Sequence, residues 1–255
     1  RFFDDPATVG QPFLSRYTVS ATSGTTGTPG IFLQDPLVSR VAAAMMARWL
    51  TRLLDARDLM KILKGRMRIS MMAPTGGHFA TTTAAARLRA SRIGAKTVQT
   101  LSVHAPIDEL VDQLNQFQPA ILAPYASVGA MLASQAEAGR LTIHPVLITL
   151  AADGLPDDEY ARIAEAFGAT VGNSYAANEC LFLSANCHHG WLHVNADWAI
   201  LEPVDADYQP TPPGQHSHTV LVTNLANHTQ PIIRYDLGDS VLARPDPCRC
   251  GNPLP

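Results

Sequence analysis

Three groups of residues in this sequence could do chemistry. The first, residues 20–30, reads SATSGTTGTPG, so hydroxyl side chains alternate with glycines and no charged residue interrupts them. Glycines let backbone N–H groups approach a ligand, and hydroxyls donate hydrogen bonds to phosphate oxygens. The run is not a Walker P-loop, because Gly-Lys-Ser/Thr does not occur in the chain. By composition alone it is more typical of a linker than of a phosphate-binding loop, and both interpretations stay open.

The second group consists of two short segments with aromatic and charged side chains. NSYAANE, residues 173–179, ends a strand pattern with Tyr175 and Glu179, and PIIRYDLGD, residues 231–239, contains Arg234 and Asp239. Each side chain alone has an ordinary structural explanation. A tyrosine at a strand end is usually half-buried core, a glutamate in a loop is usually solvated, and an aspartate after glycine is a common turn residue.

The third group holds every cysteine of the chain with three neighbouring histidines: Cys180, Cys187, Cys248, Cys250, His188, His189 and His193. The Cys248-Arg-Cys250-Gly turn can offer two thiolates to one metal ion. Cys187 and His193 could complete a tetrahedral Cys₃His zinc site, with Cys180 as a substitute ligand. Four protein ligands leave no open position, so such a zinc ion would be structural. The alternative is that the cysteines are small buried hydrophobes and the imidazoles face solvent.

The composition limits the function classes. The 255 residues are 46% hydrophobic and 16% charged with a net charge of −3, as in a globular protein with a sizeable core. This charge balance gives no basic footprint for nucleic acid, and no apolar run reaches the roughly 18 residues of a membrane span. Four cysteines in this length do not form a disulfide scaffold, which indicates a cytoplasmic protein. The start at Arg1 and the end at RCGNPLP indicate a piece of a longer protein.

The elements that must position these groups follow an α/β pattern. Asp35-Pro36 predicts the start of a helix with an apolar stripe. Thereafter the patterns predict strands at 66–74, 96–103, 119–126, 144–152 and 169–176, and helices at 79–94, 107–117, 127–139 and 156–168. Residues 191–204, 218–225 and 231–243 follow as predicted antiparallel strands. Alternating strands and helices indicate parallel βαβ units, whose ligands gather at the carboxyl ends of the strands.

We therefore predict an α/β fold in two parts. Residues 1–179 would form a layered, parallel-rich sheet with flanking helices, and residues 180–255 a β-rich C-terminal subdomain.

Five stretches, in their order along the chain, resemble the motifs of one enzyme superfamily. SGTTGTP, SYAANE, GWLHVNAD, PIIRYDLGD and CRCG are similar to motifs of the adenylate-forming superfamily of acyl-CoA synthetases, adenylation domains and luciferases. The similarity is to its phenylacetate-CoA ligase-like branch and extends to residues 76–95 and 119–133. The resemblance implies the large N-terminal domain of an acid–thiol ligase. Such an enzyme activates a carboxylic acid with ATP to an acyl-adenylate and transfers it to coenzyme A, or alternatively to a carrier protein or an amine. This branch often forms dimers, so the resemblance is compatible with a homodimer, but the sequence itself does not indicate the oligomeric state.

The resemblance also implies roles for individual residues. Residues 22–28 would cradle the β- and γ-phosphates of ATP, and Glu179 would hold Mg²⁺. Tyr175 would lie against adenine, Asp239 would accept hydrogen bonds from the ribose hydroxyls, and Arg234 would lie near phosphate or ribose. The backbone of residues 151–154 would line the adenine pocket, and Asn173 could read the amino edge of the base. The implied set comprises catalytic Thr25, Thr26 and Glu179, and nucleotide-binding Thr22, Ser23, Gly24, Gly27, Thr28, Ala152, Asp153, Asn173, Ser174, Tyr175, Asn178, Arg234 and Asp239.

The predicted pocket for the acid consists of His78, Phe79, Tyr125 and Ala151. Phe79 and Tyr125 would suit a flat apolar slot, which favours an aryl or small hydrophobic acid. His78, on a turn that faces the core, could equally be structural.

Three positions differ from the superfamily pattern. Gly30 stands where many relatives carry lysine, Ala176 replaces their glycine, and Asn178 stands where relatives usually carry threonine or serine. Members of the superfamily also have a small C-terminal domain with a lysine that assists adenylation. That domain is absent from this sequence, and no lysine follows Lys96. We expect this chain alone to bind nucleotide but to adenylate poorly. A nucleotide-binding module without catalysis stays an alternative.

Overall fold

The computed structural model describes residues 2–22, 29–74 and 76–255. Its helices are α1 (Pro36–Leu53), α2 (Ala56–Lys64), α3 (Ala80–Arg89), α4 (Gly94–Thr97), α5 (Ile107–Phe117), α6 (Ala126–Glu137) and α7 (Asp157–Phe167). Its strands are β1 (Thr18–Ala21), β2 (Ile31–Gln34), β3 (Ile69–Ala73), β4 (Val98–Ser102), β5 (Ile121–Ala123), β6 (Leu147–Leu150), β7 (Thr170–Tyr175), β8 (Ser184–Asn186), β9 (Leu192–Val194), β10 (Ala199–Val204), β11 (Thr219–Asn224) and β12 (Ile232–Asp236). Within these described ranges, no helix combines the length and the apolarity needed to cross a lipid bilayer.

Seven strands form the large sheet, in the order β4-β3-β5-β6-β7-β8-β9. The first five strands run parallel, and β8 and β9 extend the sheet in antiparallel fashion. The chain order reverses at β3, which has β4 on one side and β5 on the other. Such a reversal opens a ligand-binding crevice at the carboxyl ends of the strands. The predicted α/β fold with a parallel-rich sheet and flanking helices is confirmed.

The core lies between the central strands and the helices that cross over them. Leu122 of β5 and Ile148 of β6 have no exposed surface, and neither do Leu114 of α5 and Ile163 of α7, which belong to the same cluster. Burial of such a side chain contributes about 1.5–3 kcal/mol. The continuous apolar runs at β5 and β6 are therefore the sequence signature of strands inside a parallel sheet.

Helix α1 packs on β7 and β8. Asp35 caps it, since its Oδ1 accepts hydrogen bonds from the second and third helical N–H groups at 2.8 and 3.0 Å. Trp49 lies so close to Gly172 of β7 that a Cβ atom at that glycine would stand 2.6 Å from the indole Cζ2. The indole Nε1 donates to the carbonyl of Asn186 on β8 at 3.0 Å. Glycine at position 172 thus lets the helix approach the strand.

The C-terminal strand pattern differs from the prediction. Residues 191–204, expected as one strand, form β9 in the large sheet and β10 in a separate antiparallel sheet, β10-β11-β12. A turn divides them, because the Asn195 carbonyl accepts hydrogen bonds from the N–H groups of Trp198 and Ala199 at 2.8 and 2.9 Å. The large sheet therefore continues past residue 179 into β8 and β9. The division into domains at 179/180 stays a prediction.

Two further elements have no counterpart in the predicted pattern. Strands β1 and β2 form an antiparallel ribbon, paired from Thr18 with Gln34 to Ala21 with Ile31, so the ribbon brackets the glycine- and threonine-rich run. Helix α2 begins with a capping box, in which Asp55 and Asp58 each bind the other's backbone N–H.

Candidate functional site

A tyrosine and an aspartate from different sheets meet at the end of β7. The hydroxyl of Tyr175, the last residue of β7, donates a hydrogen bond to Oδ2 of Asp239 at 2.6 Å. Asp239 follows β12 and Gly238, whose φ of 73° turns the chain. Burial, together with the Asp239 carboxylate, raises the pKa of Tyr175, so the phenol stays a donor. The hydrogen bond from Tyr175 fixes one carboxylate oxygen of Asp239, whose side chain is otherwise exposed.

Glu179 lies beside this pair and is only 7% exposed. Burial raises the pKa of Glu179, and a hydrogen bond from the Tyr235 hydroxyl opposes that shift. The Asp239 carboxylate contributes a further rise through charge repulsion. Tyr235 lies on β12, with its ring edge against Phe32 of β2 at a centroid distance of 6.1 Å. We call Tyr175, Glu179, Tyr235 and Asp239 the acid–phenol cluster.

Asn178 adds an unused acceptor next to Glu179. Its Oδ1 atom is buried and has no hydrogen-bond partner among the described residues. A buried polar atom without a partner is costly, and a bound cation or donor would satisfy it.

Arg234 is turned away from the acid–phenol cluster. Its Nε lies 3.3 Å from Oε2 of Glu202 on β10. Its backbone has a φ of 47° and donates to Oγ1 of Thr223 at 3.0 Å, where the register between β11 and β12 shifts. This bulge leaves Tyr235, rather than Arg234, beside Glu179.

The loop between β1 and β2 is closed at its base by Thr22. The Thr22 N–H donates to the Gly30 carbonyl at 3.0 Å, and Oγ1 of Thr22 accepts from the Gly30 N–H at 2.9 Å. These bonds hold the two ends of residues 22–30 together. The other predicted loop residues, Ser23, Gly24, Thr25, Thr26, Gly27 and Thr28, lie outside the described residues.

The predicted adenine-pocket backbone follows β6. The Asp153 carboxylate caps α6, because Oδ1 and Oδ2 accept from the N–H groups of Ala126 and Ser127, each at 3.0 Å. The Ala151 carbonyl also accepts from the Ala126 N–H at 3.1 Å. Ala152 between them has a φ of 76°, a conformation that L-residues rarely adopt. The Asp153 side chain therefore fixes this loop.

Two polar residues of β7 are held by neighbouring elements. Nδ2 of Asn173 donates to the Tyr160 hydroxyl of α7 at 3.2 Å, which leaves the Asn173 side-chain oxygen as an acceptor. Ser174 pairs with Ala185 of β8.

The predicted acid-pocket residues divide between two surroundings. Tyr125 at the end of β5 bridges to Ala151 after β6, so these two are neighbours at the carboxyl edge. His78 is 2% exposed and stacks on Phe3 at 5.5 Å, while its Nε2 lies 3.2 Å from the Thr8 hydroxyl. Phe79, half-buried, stands at the start of α3. The N-terminal segment thus encloses His78.

The four predicted metal ligands come together. The side-chain atoms of Cys187, His193, Cys248 and Cys250 that can bind a metal all lie within 4.8 Å of one another. Cys180 is buried elsewhere, in the core cluster with Leu183.

Comparisons with known proteins gave matches among solved structures alone: no protein-family model and no curated protein matches the sequence. A 2-hydroxyisobutyryl-CoA ligase in complex with 2-HIB-AMP and CoA aligns over 95% of this chain and 56% of its own, with 21% identity and a TM-score of 0.67. A luciferase-like enzyme from the mealworm Zophobas morio aligns over 86% and 50%, with 15% identity and a TM-score of 0.57. The Klebsiella oxytoca NpsA N-terminal subdomain, bound to 3-hydroxyanthranilyl-AMSN, aligns over 89% and 59%, with 12% identity and a TM-score of 0.52.

The chain has the fold of the N-terminal domain of adenylate-forming enzymes. It spans about half the length of the solved structures that it matches. The superfamily resemblance inferred from the five motifs is thereby confirmed at the level of the fold, while the phenylacetate-CoA ligase-like branch stays a prediction.

Within the adenylate-forming fold, the structure brings two predicted residues into contact, Tyr175 and Asp239, and places Glu179 close enough for its charge to act on both. It does not bring Arg234 to them. Sequence reasoning missed Tyr235, because its position beside Glu179 depends on the register shift between β11 and β12, which no local pattern marks. The roles of these residues stay predictions.

Proposed function

We propose that the protein activates a carboxylic acid with ATP to an acyl-adenylate and then transfers the acyl group to coenzyme A. The observation that carries the proposal is the Tyr175–Asp239 hydrogen bond of 2.6 Å beside buried Glu179, at the carboxyl end of β7. These side chains come from two of the five motifs that led to the superfamily, and the fold is that of its N-terminal domain.

The chemistry needs little covalent help from the protein. A carboxylate oxygen attacks the α-phosphorus of ATP, the bond between that phosphorus and the bridging oxygen breaks, and pyrophosphate leaves. The thiol of coenzyme A then attacks the acyl carbon, and AMP leaves. The task of the site is positioning and charge neutralisation at phosphorus.

In this proposal the acid–phenol cluster binds the nucleoside. The ring of Tyr175 lies against adenine, and its hydroxyl orients Asp239, whose second oxygen accepts from the ribose hydroxyls. The Asn173 side-chain oxygen faces the amino edge of the base, and the backbone after β6 lines the pocket. The loop of residues 22–28 holds the phosphates.

The residues beside Glu179 fit Mg²⁺. This ion takes oxygen ligands, usually one or two carboxylates together with substrate phosphates. The Glu179 carboxylate and the unpartnered Oδ1 of Asn178 supply such oxygens. A bound Mg²⁺ would neutralise charge on the phosphates. Burial disfavours the ionised form of Glu179, so a nearby cation would also stabilise that carboxylate.

We further propose an aryl or small hydrophobic acid as substrate. The neighbouring pair Tyr125 and Ala151 would form one wall of its pocket at the carboxyl edge, and Phe79, at the start of α3, would supply a flat apolar surface. The reaction would take place in the cytoplasm, where ATP and coenzyme A are available and the cysteines stay reduced.

The test is acid-dependent exchange of labelled pyrophosphate into ATP, with the protein at its full natural length and a panel of aryl and aliphatic acids. We expect exchange with one acid class, lost in Glu179→Gln and retained in the exposed control Glu165→Gln. Transfer to coenzyme A is then followed as thioester formation, with a carrier protein or an amine as competing acceptors.

A nucleotide-binding module without catalysis is the second candidate. The Arg234–Glu202 ion pair favours it, because a guanidinium held at 3.3 Å from a carboxylate is withdrawn from a phosphate. ATP binding without exchange for any acid would support this candidate against the ligase.

A further inference from the structure

We infer that Cys187, His193, Cys248 and Cys250 form a structural zinc site. The inference does not rest on the proposed function. Cys187 follows β8, His193 is in the middle of β9, and the other two residues lie close to the end of the sequence. All four cysteines of the chain are free thiols. Three of them, Cys187, Cys248 and Cys250, cluster around the buried imidazole of His193.

The distances match a tetrahedral zinc ion. Two sulfurs at about 2.3 Å from one zinc stand about 3.8 Å apart, and a sulfur and a nitrogen about 3.5 Å apart. The sulfurs of Cys187 and Cys248 are 3.7 Å apart, and the Cys250 sulfur is 3.2 Å from Nε2 of His193. Because all the ligand atoms lie within 4.8 Å of one another, an ion would need at most about 1 Å of adjustment.

The surrounding hydrogen bonds orient the ligands. Nδ1 of His193 lies 2.7 Å from the Leu254 carbonyl. Because a carbonyl only accepts hydrogen bonds, the proton is on Nδ1, and Nε2, which faces Cys250, has a lone pair that can bind a metal ion. The N–H groups of His189 and Asn252 donate to the sulfurs of Cys187 and Cys250, both at 3.4 Å.

The charge of the site also fits its surroundings. Three thiolates and a neutral imidazole around Zn²⁺ leave a net charge of −1. Arg52 lines the cavity of about 290 Å³ that borders Cys187, His193 and Cys250, together with Arg48, which is paired with Asp197 at 2.7 Å.

The zinc ion would fasten the last residues of the sequence to the large sheet. The Val194 N–H, next to His193 on β9, donates to the Pro255 carbonyl at 2.6 Å. With four protein ligands the ion has no open position, so it contributes stability rather than catalysis.

The first test is the zinc content of the purified protein, expressed with zinc and kept reduced. We expect one zinc ion per chain, lost in the Cys248→Ser/Cys250→Ser double variant. It should be retained in Cys180→Ala and in the neighbouring control His188→Ala/His189→Ala. Cobalt in place of zinc should give the visible bands of a tetrahedral thiolate site.

A second measurement does not depend on how the variants fold. Removal of zinc from the unmodified protein with a chelator should accelerate hydrogen exchange of the Val194 amide, whereas amides of β5 stay protected. A metal-free protein after growth with zinc, zinc retained in the double variant, or a Cys187–Cys248 disulfide in the natural protein would each overturn the inference.

Discussion

Replacement of Tyr175 by phenylalanine tests whether the phenol positions Asp239 for a nucleotide. The substitution keeps the ring that would lie against adenine and removes the hydroxyl that donates to Oδ2 of Asp239 at 2.6 Å. If Asp239 binds the ribose hydroxyls, we expect Tyr175→Phe to weaken ATP binding although no direct contact with ATP is lost.

The structure sets the size of this effect. A hydrogen bond to a charged group contributes about 1.5–3 kcal/mol. Asp239 is exposed, so water replaces part of the lost bond, and the lower limit of about 1.5 kcal/mol applies. Since 1.4 kcal/mol corresponds to a tenfold change, the Kd for ATP should rise about tenfold.

The assay is calorimetric titration of ATP into the parent protein, Tyr175→Phe, Asp239→Asn and the double variant. The two substitutions should not be additive, because both act through the same carboxylate. With 2′-deoxy- and 3′-deoxy-ATP the effect of Tyr175→Phe should shrink. The matched control is Tyr208→Phe, which removes a 2.8 Å hydrogen bond to Asp236, the last residue of β12. Unchanged ATP affinity in Tyr175→Phe, or equal losses for ATP and both deoxy forms, would refute the positioning argument.

Three further predictions concern stability. Burial raises the pKa of Glu179 above its ordinary 4.5. The contribution of Glu179 to stability is therefore largest below pH 4.5 and falls as the pH rises through the folded-state pKa. Glu179→Gln should accordingly have a higher melting temperature than the parent at pH 7 but not at pH 4. Gly172→Ala should lower the free energy of unfolding by about 1–3 kcal/mol in urea, because its Cβ would stand 2.6 Å from Trp49, whereas Gly154→Ala, with open space around it, should have little effect. Asp35→Ala should lower the free energy of unfolding by about 1 kcal/mol through loss of the α1 cap, whereas Asp35→Asn should keep most of that stability. Equal melting temperatures for the two variants would contradict the capping role.

The sequence predicted the helices that have a periodic apolar pattern and a proline or glycine at their ends. Helix α5 has the predicted limits, 107 and 117, because its apolar positions are periodic and a proline precedes it. Helix α7 lies between Pro156 and Gly168, whose φ of 58° ends the helix. In contrast, β8 has only three residues and depends on pairing with β7 and β9, so no local pattern marks it.

The acid–phenol cluster required information beyond local patterns. Tyr175 and Asp239 are 64 residues apart and meet through the packing of two sheets, so only the order of the motifs connected them in advance. The position of Arg234 also depends on distant pairing, because it stands at the register shift between β11 and β12 and forms an ion pair with Glu202; its nucleotide-binding role stays a prediction. The capping box formed by Asp55 and Asp58, by comparison, is a sequence pattern that predicts the start of α2.

The strand order of the large sheet also bears on how the chain is synthesised. After β3, each strand in turn joins an edge that earlier strands have already formed, so the sheet can grow as the chain leaves the ribosome. Helix α1 differs, because it is synthesised before β3 and Trp49 binds Asn186, which follows 137 residues later. At about 5–20 residues per second, the Trp49 indole lacks this partner for about 7–27 s after its synthesis. The apolar stripe of α1 is therefore a segment of the nascent chain on which a ribosome-associated chaperone has time to act.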